Sequence, residues 1–572
     1  MKLNSKIMVT LSISLWMFIG CGSVASDSST SKSNLDATQT AVAGVSIDEV
    51  MDASSDNYKV LKLDGDKNLQ LKLGEEAKDV YVLFSNPNSV AHTATVAYNN
   101  KRVETISNNK RELNLKIIKH QDKQELSFVQ AFNNQLFDFQ NDKKEDISLR
   151  KTYKIISDTQ GEKKVFYMDA TSKEREVNAT ARKVITNVQT QFGAKSLTIW
   201  VEDAAYGDGC SKVKCVNDDM INTLANKFLK SGSDNDIYDW VTNVFGEEWG
   251  VPTSSALIDE SNHISILLTD ISQDNKASGG VIGYFYSKDN FKNSRYSGSN
   301  ERIMFYIDSI MYANSTTSSW DENDFWPQQV FSTLAHEFQH MIYFYQKNVK
   351  QAIQGTDTWI NEMLSESTED LVAVKMGIDG PRNVASTRGD AGDKNNYNGR
   401  YPLFNQNNRL SPESWDNTLE NYSTVSSFGA YLMRNYGGAK LLHDIVYSEF
   451  INEEALMDAV HKDANGKSKT FNDLIHEWGV AVLLSKRDDI SVDGGKLYNS
   501  GDYISSSFNN IQYDLGSINF FNYNPVPFIY TTMGQVSPKS NYYYKVGENL
   551  KGDIDVNISQ TTGLNVSVVV VK

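Results

Sequence analysis

The sequence predicts a multidomain α+β protein. Its central domain combines a small sheet with a helical part, and an N-terminal β-sandwich and a C-terminal β-rich region flank it. Three observations predict this. The chain has 572 residues, too many for one ordinary core. Short runs of alternating apolar residues fill the stretch after Tyr58, and strand-like runs return near the C-terminus. Between them, a few strand-like runs give way to long stretches with apolar residues at helical spacing.

Residues 1–20 read as a signal peptide. Lys2 and Lys6 precede an apolar run, Ile7 to Ile19, that is too short to span a bilayer. The run stops at Phe18-Ile19-Gly20-Cys21, which resembles a bacterial lipoprotein signal with lipid on the Cys21 sulfur. Phe18 stands where such signals usually carry Leu. A plain secretory signal cut near Ala25 is the alternative. Residues 21–45 read as a flexible tether, because Gly22 to Thr40 is rich in Ser, Thr, Asn and Asp and poor in large apolar residues. The expected location is therefore a bacterial cell envelope, lipid-anchored on an outer-facing or periplasmic surface, or alternatively the medium.

In residues 46–153, the runs YKVLKL, LQLKL, VYVLFS, TATVAY and LNLKIIK alternate with period two. Turn segments such as LDGDKN separate them, as in a β-sandwich. Residues 154–490 form the central domain. KKVFYMD, EREVNATARKVI and SLTIWVED read as strands. VNDDMINTLANKFLK spaces Met220, Ile221, Leu224, Ala225 and Phe228 as a helix, with Asn217 at its N-cap. IYDWVTNVFGEEWG is a second amphipathic stretch, and strands return at Ile264–Asp270 and Arg302–Asp308. Residues 491–572 are strand-like and end in LNVSVVVVK. In an oxidising compartment Cys210 and Cys215, in GDGCSKVKCVN, close as a disulfide; with no histidine beside them they make a poor zinc site. The net charge of −16 argues against nucleic acid and anionic membranes as partners. Membrane contact is expected through the N-terminal lipid only, and the chain is read as a monomer.

FSTLAHEFQHMIYFYQ holds two of the chain's eight histidines, His336 and His340, with Glu337 beside the first. Val330, Phe331, Leu334, Phe338, Met341 and Ile342 recur at helical spacing around them. Four residues turn an α-helix through about 400°, so both imidazoles project from nearly one face. This is H-E-x-x-H, two metal donors with a general base beside the first. The competing possibility is two histidines that merely pack on an amphipathic helix. WINEMLSESTED, from Trp359 to Asp370, is also helical, with Asp357 or Thr358 placed to cap it. Returning antiparallel, it can bring Glu362 in as a third donor, leaving a position open for water. Glu366, one turn on, is expected to accept a hydrogen bond from the free ring nitrogen of His336. Glu369 is expected to point into solvent. His263 reads as a turn or surface residue, and His443 and His476 as structural.

H-E-x-x-H followed by a Trp-x-Asn-Glu helix resembles the gluzincin clan, to which thermolysin belongs; Asn361-Glu362 and Glu366 match that clan's third ligand and supporting acid. Successive blocks are similar to the hyicolysin family of metallopeptidases, among them LTIWVEDAAYGDG, DDMINTLANKF, GGVIGYFYSKD, STLAHEFQHMI and NYSTVSSFGAYLMRNYGG. The similarity runs from about Val165 to Tyr447. It implies a thermolysin-like core, zinc on His336, His340 and Glu362, and hydrolysis of peptide bonds in protein or peptide substrates with Glu337 as general base. It also implies a Tyr or His that stabilises the oxyanion. Tyr422 is the first candidate and Tyr431 the second. Arg302–Asp308 or Ile264–Asp270 is the expected edge strand for an extended substrate. Asp390 and Asp393 could help bind calcium, although their spacing is not that of an EF-hand. Two other functions fit the sequence: a catalytically silent surface binding protein or adhesin on the same fold, and a zinc hydrolase that does not act on peptides.

Overall fold

The computed structural model describes residues 46–100, 126–139, 157–384, 392–395, 399–487, 498 and 504–572, apart from 260 and 318. The signal peptide, Cys21, the whole tether, the LNLKIIK run and Asp390 lie outside the described residues. The fold is mixed α+β, with several sheets and a large helical part.

The first five strands are β1 (Glu49–Asp52), β2 (Tyr58–Leu63), β3 (Lys67–Lys72), β4 (Lys78–Ser85) and β5 (Thr95–Asn100). They do not close a sandwich of their own. The last three strands of the chain, named β14 (Asn541–Leu550), β15 (Asp553–Ser559) and β16 (Asn565–Val571), complete both sheets. Their orders are β1-β3-β15-β5 and β14-β4-β16-β2. The sequence suggested two separate flanking regions, and the pairing joins them. The physical reason lies in the apolar runs. VYVLF in β4 and VSVVVV in β16 are apolar on both faces, so each must be covered twice. Val80, Val82 and Phe84 turn into the sandwich core beside Val566, Val568 and Val570. Tyr81, Leu83 and Val569 turn the other way, into the core of the central domain.

A short helix, α1 (Ser127–Asn133), precedes the central domain. Its sheet has six strands: β6 (Lys163–Tyr167), β7 (Glu176–Thr190), β8 (Gly193–Glu202), β9 (His263–Thr269), β10 (Gly283–Phe285) and β11 (Ile303–Asp308). Their order is β10-β11-β9-β8-β7-β6. Strands β8, β9 and β11 run parallel, and β10 is antiparallel to β11 at the edge. Neither strand proposed from the sequence as the substrate edge occupies it, since β9 and β11 are both interior. The edge strand is the three-residue Gly-Tyr-Phe, too short to show a period. Helix α2 (Asp218–Phe228) is capped as expected, with Asn217 Oδ1 accepting from Met220 N at 3.0 Å. Then come α3 (Ile237–Phe245), α4 (Ser309–Tyr312), α5 (Phe325–Tyr343), α6 (Thr358–Met376), α7 (Arg400–Asn407), α8 (Leu419–Asn435), α9 (Ala439–Tyr447), α10 (Asn452–His461) and α11 (Phe471–Leu484). A hairpin, β12 (Ile504–Phe508) with β13 (Ile511–Leu515), precedes β14.

Two buried histidines fasten this architecture. His476 on α11 lies between Ser85 Oγ and Ser567 Oγ, at 2.7 and 2.8 Å, and so ties a central helix to the sandwich. His263, expected at the surface, is buried at the start of β9. Its Nε2 lies 2.6 Å from Thr198 Oγ1 and 3.3 Å from Asp158 Oδ2. Cys210 and Cys215 are bonded, with their Cα atoms 5.9 Å apart. Among the described residues no helix is long and apolar enough to cross a membrane.

Candidate metal centre and active-site cleft

Helices α5 and α6, each 19 residues, carry the site. Pro327 sits in the first turn of α5, where its missing N–H costs nothing. Beyond Tyr343 the chain continues as a wider π-helical stretch to Lys350 before returning as α6. Asp357 takes the N-cap position of α6 but makes no side-chain bond there. At the other end Gly377 adopts φ 69°, the left-handed conformation that closes a helix and that glycine enters freely.

The geometry brings the three expected donors together. His336 and His340 lie one turn apart, ring centroids 4.8 Å from each other. Glu362 reaches in from α6, its Oε2 being 3.2 Å from His336 Nε2 and 3.5 Å from His340 Nε2. All three are buried. A tetrahedral zinc with bonds of about 2.0–2.2 Å holds its donors about 3.3–3.6 Å apart. The observed spacing fits that requirement, and so does the donor chemistry of two imidazoles and one carboxylate.

The expected support for His336 is corrected. Its Nδ1 donates to Glu369 Oε1 at 2.7 Å, and Ser332 Oγ holds the other Glu369 oxygen. Glu366 instead pairs with Arg400, whose Nε is 2.9 Å from Oε2 and whose Nη2 is 2.6 Å from Oε1. The reason is azimuth. At about 100° per residue, Glu369 stands about 20° to one side of Glu362 and Glu366 about 40° to the other. A helical side chain also leans toward its N-terminus, so Glu369 reaches back over the turn to His336. Ser365 Oγ lies 3.1 Å from His340 Nδ1.

The site is built around positive charge. Burial opposes a charge on His336, but Glu362 and Glu369 outweigh it and hold its pKa well above the ordinary histidine value. Glu337 is buried beside the donors, and burial raises its carboxyl above the usual range. Its Oε2 accepts the Phe285 N–H of the edge strand at 2.8 Å.

The donors and Glu337 open on a cleft of about 330 Å³ that Gly283, Trp326, Arg400 and Tyr422 also line. Tyr422 on α8 packs edge-on against Trp415, ring centroids 5.0 Å apart, with the Arg400 guanidinium 5.3 Å from its ring. Tyr431 is not in this cleft. It is fully buried, its hydroxyl 3.3 Å from that of Tyr436. No sequence signal marked Arg400, which follows an Asn- and Gly-rich run of the sequence. Glu369 could have been found by following the azimuth along α6. Asp393 accepts from Asn395 N at 2.8 Å, and the donor clusters among the described residues do not include it.

Two histidines and a glutamate on one helix, met by a carboxylate from an antiparallel helix, define the class of H-E-x-x-H metallopeptidases. The chain belongs to the peptidase M30 family, whose profile matches residues 177–491. It is 26% identical over 285 residues to the neutral metalloprotease ShpI of Staphylococcus hyicus, an alignment covering 49% of this chain and 55% of that protein. The chain thus spans about half the length of this curated relative. These matches bear out the family suggested by the sequence blocks. Among solved structures, an M1 zinc metallopeptidase from Deinococcus radiodurans aligns over 55% of this chain and 60% of its own, with 11% identity and a TM-score of 0.27. That likeness is too slight to support an inference.

Proposed function

We propose that the chain is an extracytoplasmic zinc-dependent endopeptidase acting on protein or peptide substrates. The observation that carries this is the convergence of His336, His340 and Glu362 beside Glu337 in one cleft. His336, His340 and Glu362 would hold the metal. Zinc bound there would supply Lewis acidity to the scissile carbonyl and to water. Glu337 takes the proton of the attacking water and passes it to the leaving amine. Its burial favours the neutral acid and so raises its proton affinity toward that of a working base. Glu369 fixes the ring of His336, leaving Nε2 for the metal. Tyr422 donates to the carbonyl oxygen as negative charge develops on it.

A silent binding protein on the same fold is disfavoured, because a retired protease loses a ligand or the base and this chain keeps both. Processing of the N-terminus belongs to the same proposal. Residues 1–20 act as the signal, lipid on Cys21 anchors the chain, and residues 21–45 act as the tether. Support comes from the charged start, the short apolar run and the polar stretch that follows. Removing metal with a chelator should abolish peptide cleavage, and added zinc should restore it. Full activity in a metal-free preparation, or in His336→Ala, would refute the proposal.

A further inference from the structure

The edge strand β10 offers an extended peptide a ladder, and one side chain of the N-terminal segment already stands on it. Ile282 O accepts from Asp308 N at 2.7 Å, so even-numbered positions bond to β11. In an antiparallel pair alternate residues turn outward, which aims the N–H and C=O groups of Gly283 and Phe285 away from the sheet. Phe285 N meets Glu337 at 2.8 Å. Phe285 O accepts from Asn133 Nδ2 at 2.8 Å, and Asn133 Oδ1 accepts from Ser287 N at 2.9 Å and from Ser287 Oγ at 2.8 Å. A carbonyl and the amide two residues on face the same way, and they are the groups that an added strand would bond. The carboxamide of Asn133 takes that place.

The segment bearing Asn133 is firmly seated. Phe132 packs edge-on against Tyr286 and Tyr296, with centroids 5.2 and 4.8 Å apart. Gln354 clamps the backbone of Phe137, accepting its N–H at 2.6 Å and donating to its carbonyl at 2.9 Å. Asn134 Nδ2 reaches Thr358 Oγ1, on the helix that carries Glu362, at 2.8 Å. Gln130, Asn133 and Asn134 wall a cavity whose other side is formed by Phe285, His340 and Glu362. The larger cleft thus follows Gly283, and past Phe285 the space narrows to the smaller cavity walled by Asn133.

We propose that Asn133 is a specificity-determining residue: it caps the substrate-docking edge, so a bound peptide has room for more residues on the Gly283 side of the scissile bond than on the Phe285 side. The proposal rests on the peptidase reading and adds to it a length preference on one side of the scissile bond. The test takes one cleaved peptide, with its scissile bond mapped by mass spectrometry, and lengthens it residue by residue in two series, one from each terminus. In the unaltered chain one series should lose about tenfold in kcat/KM beyond a fixed length while the other stays flat; tenfold is the effect of about one displaced hydrogen-bonded contact. Asn133→Ala should remove that drop. Asn133→Asp, which keeps the size of the side chain but cannot donate to Phe285 O, should also remove it. Thermal unfolding of both variants identifies any that fails to fold. Two flat series in the unaltered chain, or a drop that persists in both variants, would overturn the cap. Loss of dependence on Glu337 would instead overturn the peptidase reading, so the two failures are distinguishable.

Discussion

Glu369 Oε1 lies 2.7 Å from His336 Nδ1, on the side of the ring away from the metal donors, and Ser332 holds the other Glu369 oxygen. A glutamate two turns beyond the donor Glu362 thus sets the tautomer and tilt of an imidazole on the facing helix. Glu369→Gln should weaken zinc binding by about 10- to 100-fold, the usual effect of losing a partner behind a ligand histidine. Competition against a chromophoric chelator measures it. Glu366→Gln, which disturbs Arg400 instead, should leave zinc affinity within a few-fold of the original. Equal effects of the two substitutions would show that the pairing is misassigned.

Tyr422 and Tyr431 separate the cleft from the core. Tyr422→Phe should lower kcat by about 100-fold or more with KM little changed, as expected for the loss of a donor to a developing oxyanion. Tyr431→Phe removes a hydroxyl contact among buried tyrosines and should cost about 1 kcal/mol of stability while leaving kcat unaltered. Steady-state kinetics and thermal unfolding on the same preparations distinguish the two.

Asp158 ties the start of the central domain to its sheet. Arg302 Nη1 and Nη2 donate to its two oxygens at 2.7 and 2.8 Å. Burial alone would raise its pKa, but His263 and Arg302 outweigh burial and hold it well below the usual carboxylate range. A depressed carboxyl stabilises the fold at pH values above the unfolded value, about 4, and that contribution fades as pH falls through the folded value. Asp158→Asn should therefore cost about 3–5 kcal/mol at neutral pH, because it leaves Arg302 buried without its charge partner. The difference from the parent should shrink below about pH 4. A difference independent of pH would argue against an ionised Asp158.

The joined sandwich predicts a particular failure on truncation. Removing residues 541–572 strips the partners of β2 and β4 and uncovers Val80, Val82 and Phe84. The shortened chain should be insoluble or unfold without a cooperative transition, since two unpaired apolar strands then face water. Two independent flanking domains would instead leave the remainder folded and melting as before.

The helices around the site were legible because their apolar residues repeat at helical spacing over long stretches, and H-E-x-x-H fixed the face of α5. The edge strand was not legible, because the three residues Gly283–Phe285 are too few to show a repeated two-residue alternation. Glu369 was hidden because a spacing of one helical turn points to Glu366, whereas the azimuth along α6 favours the residue two turns on. The union of the terminal strands was visible in part. VYVLF and VSVVVV carry apolar residues on both faces, which signals an interior strand, yet nothing in either run names its partner across more than 450 residues. Asn133 could not be found from sequence at all, since its role depends on which backbone groups β10 leaves outward.

The central claim is that Glu337 is the base of a metal-dependent peptidase. The most direct measurement follows cleavage of an unfolded protein or peptide by the chain from Ser26 on, beside Glu337→Gln, with zinc content determined for both. The account predicts stoichiometric zinc in each and a fall in kcat of about 10²- to 10⁴-fold in the variant. Cleavage by Glu337→Gln at the parent rate, with zinc still bound, would contradict it.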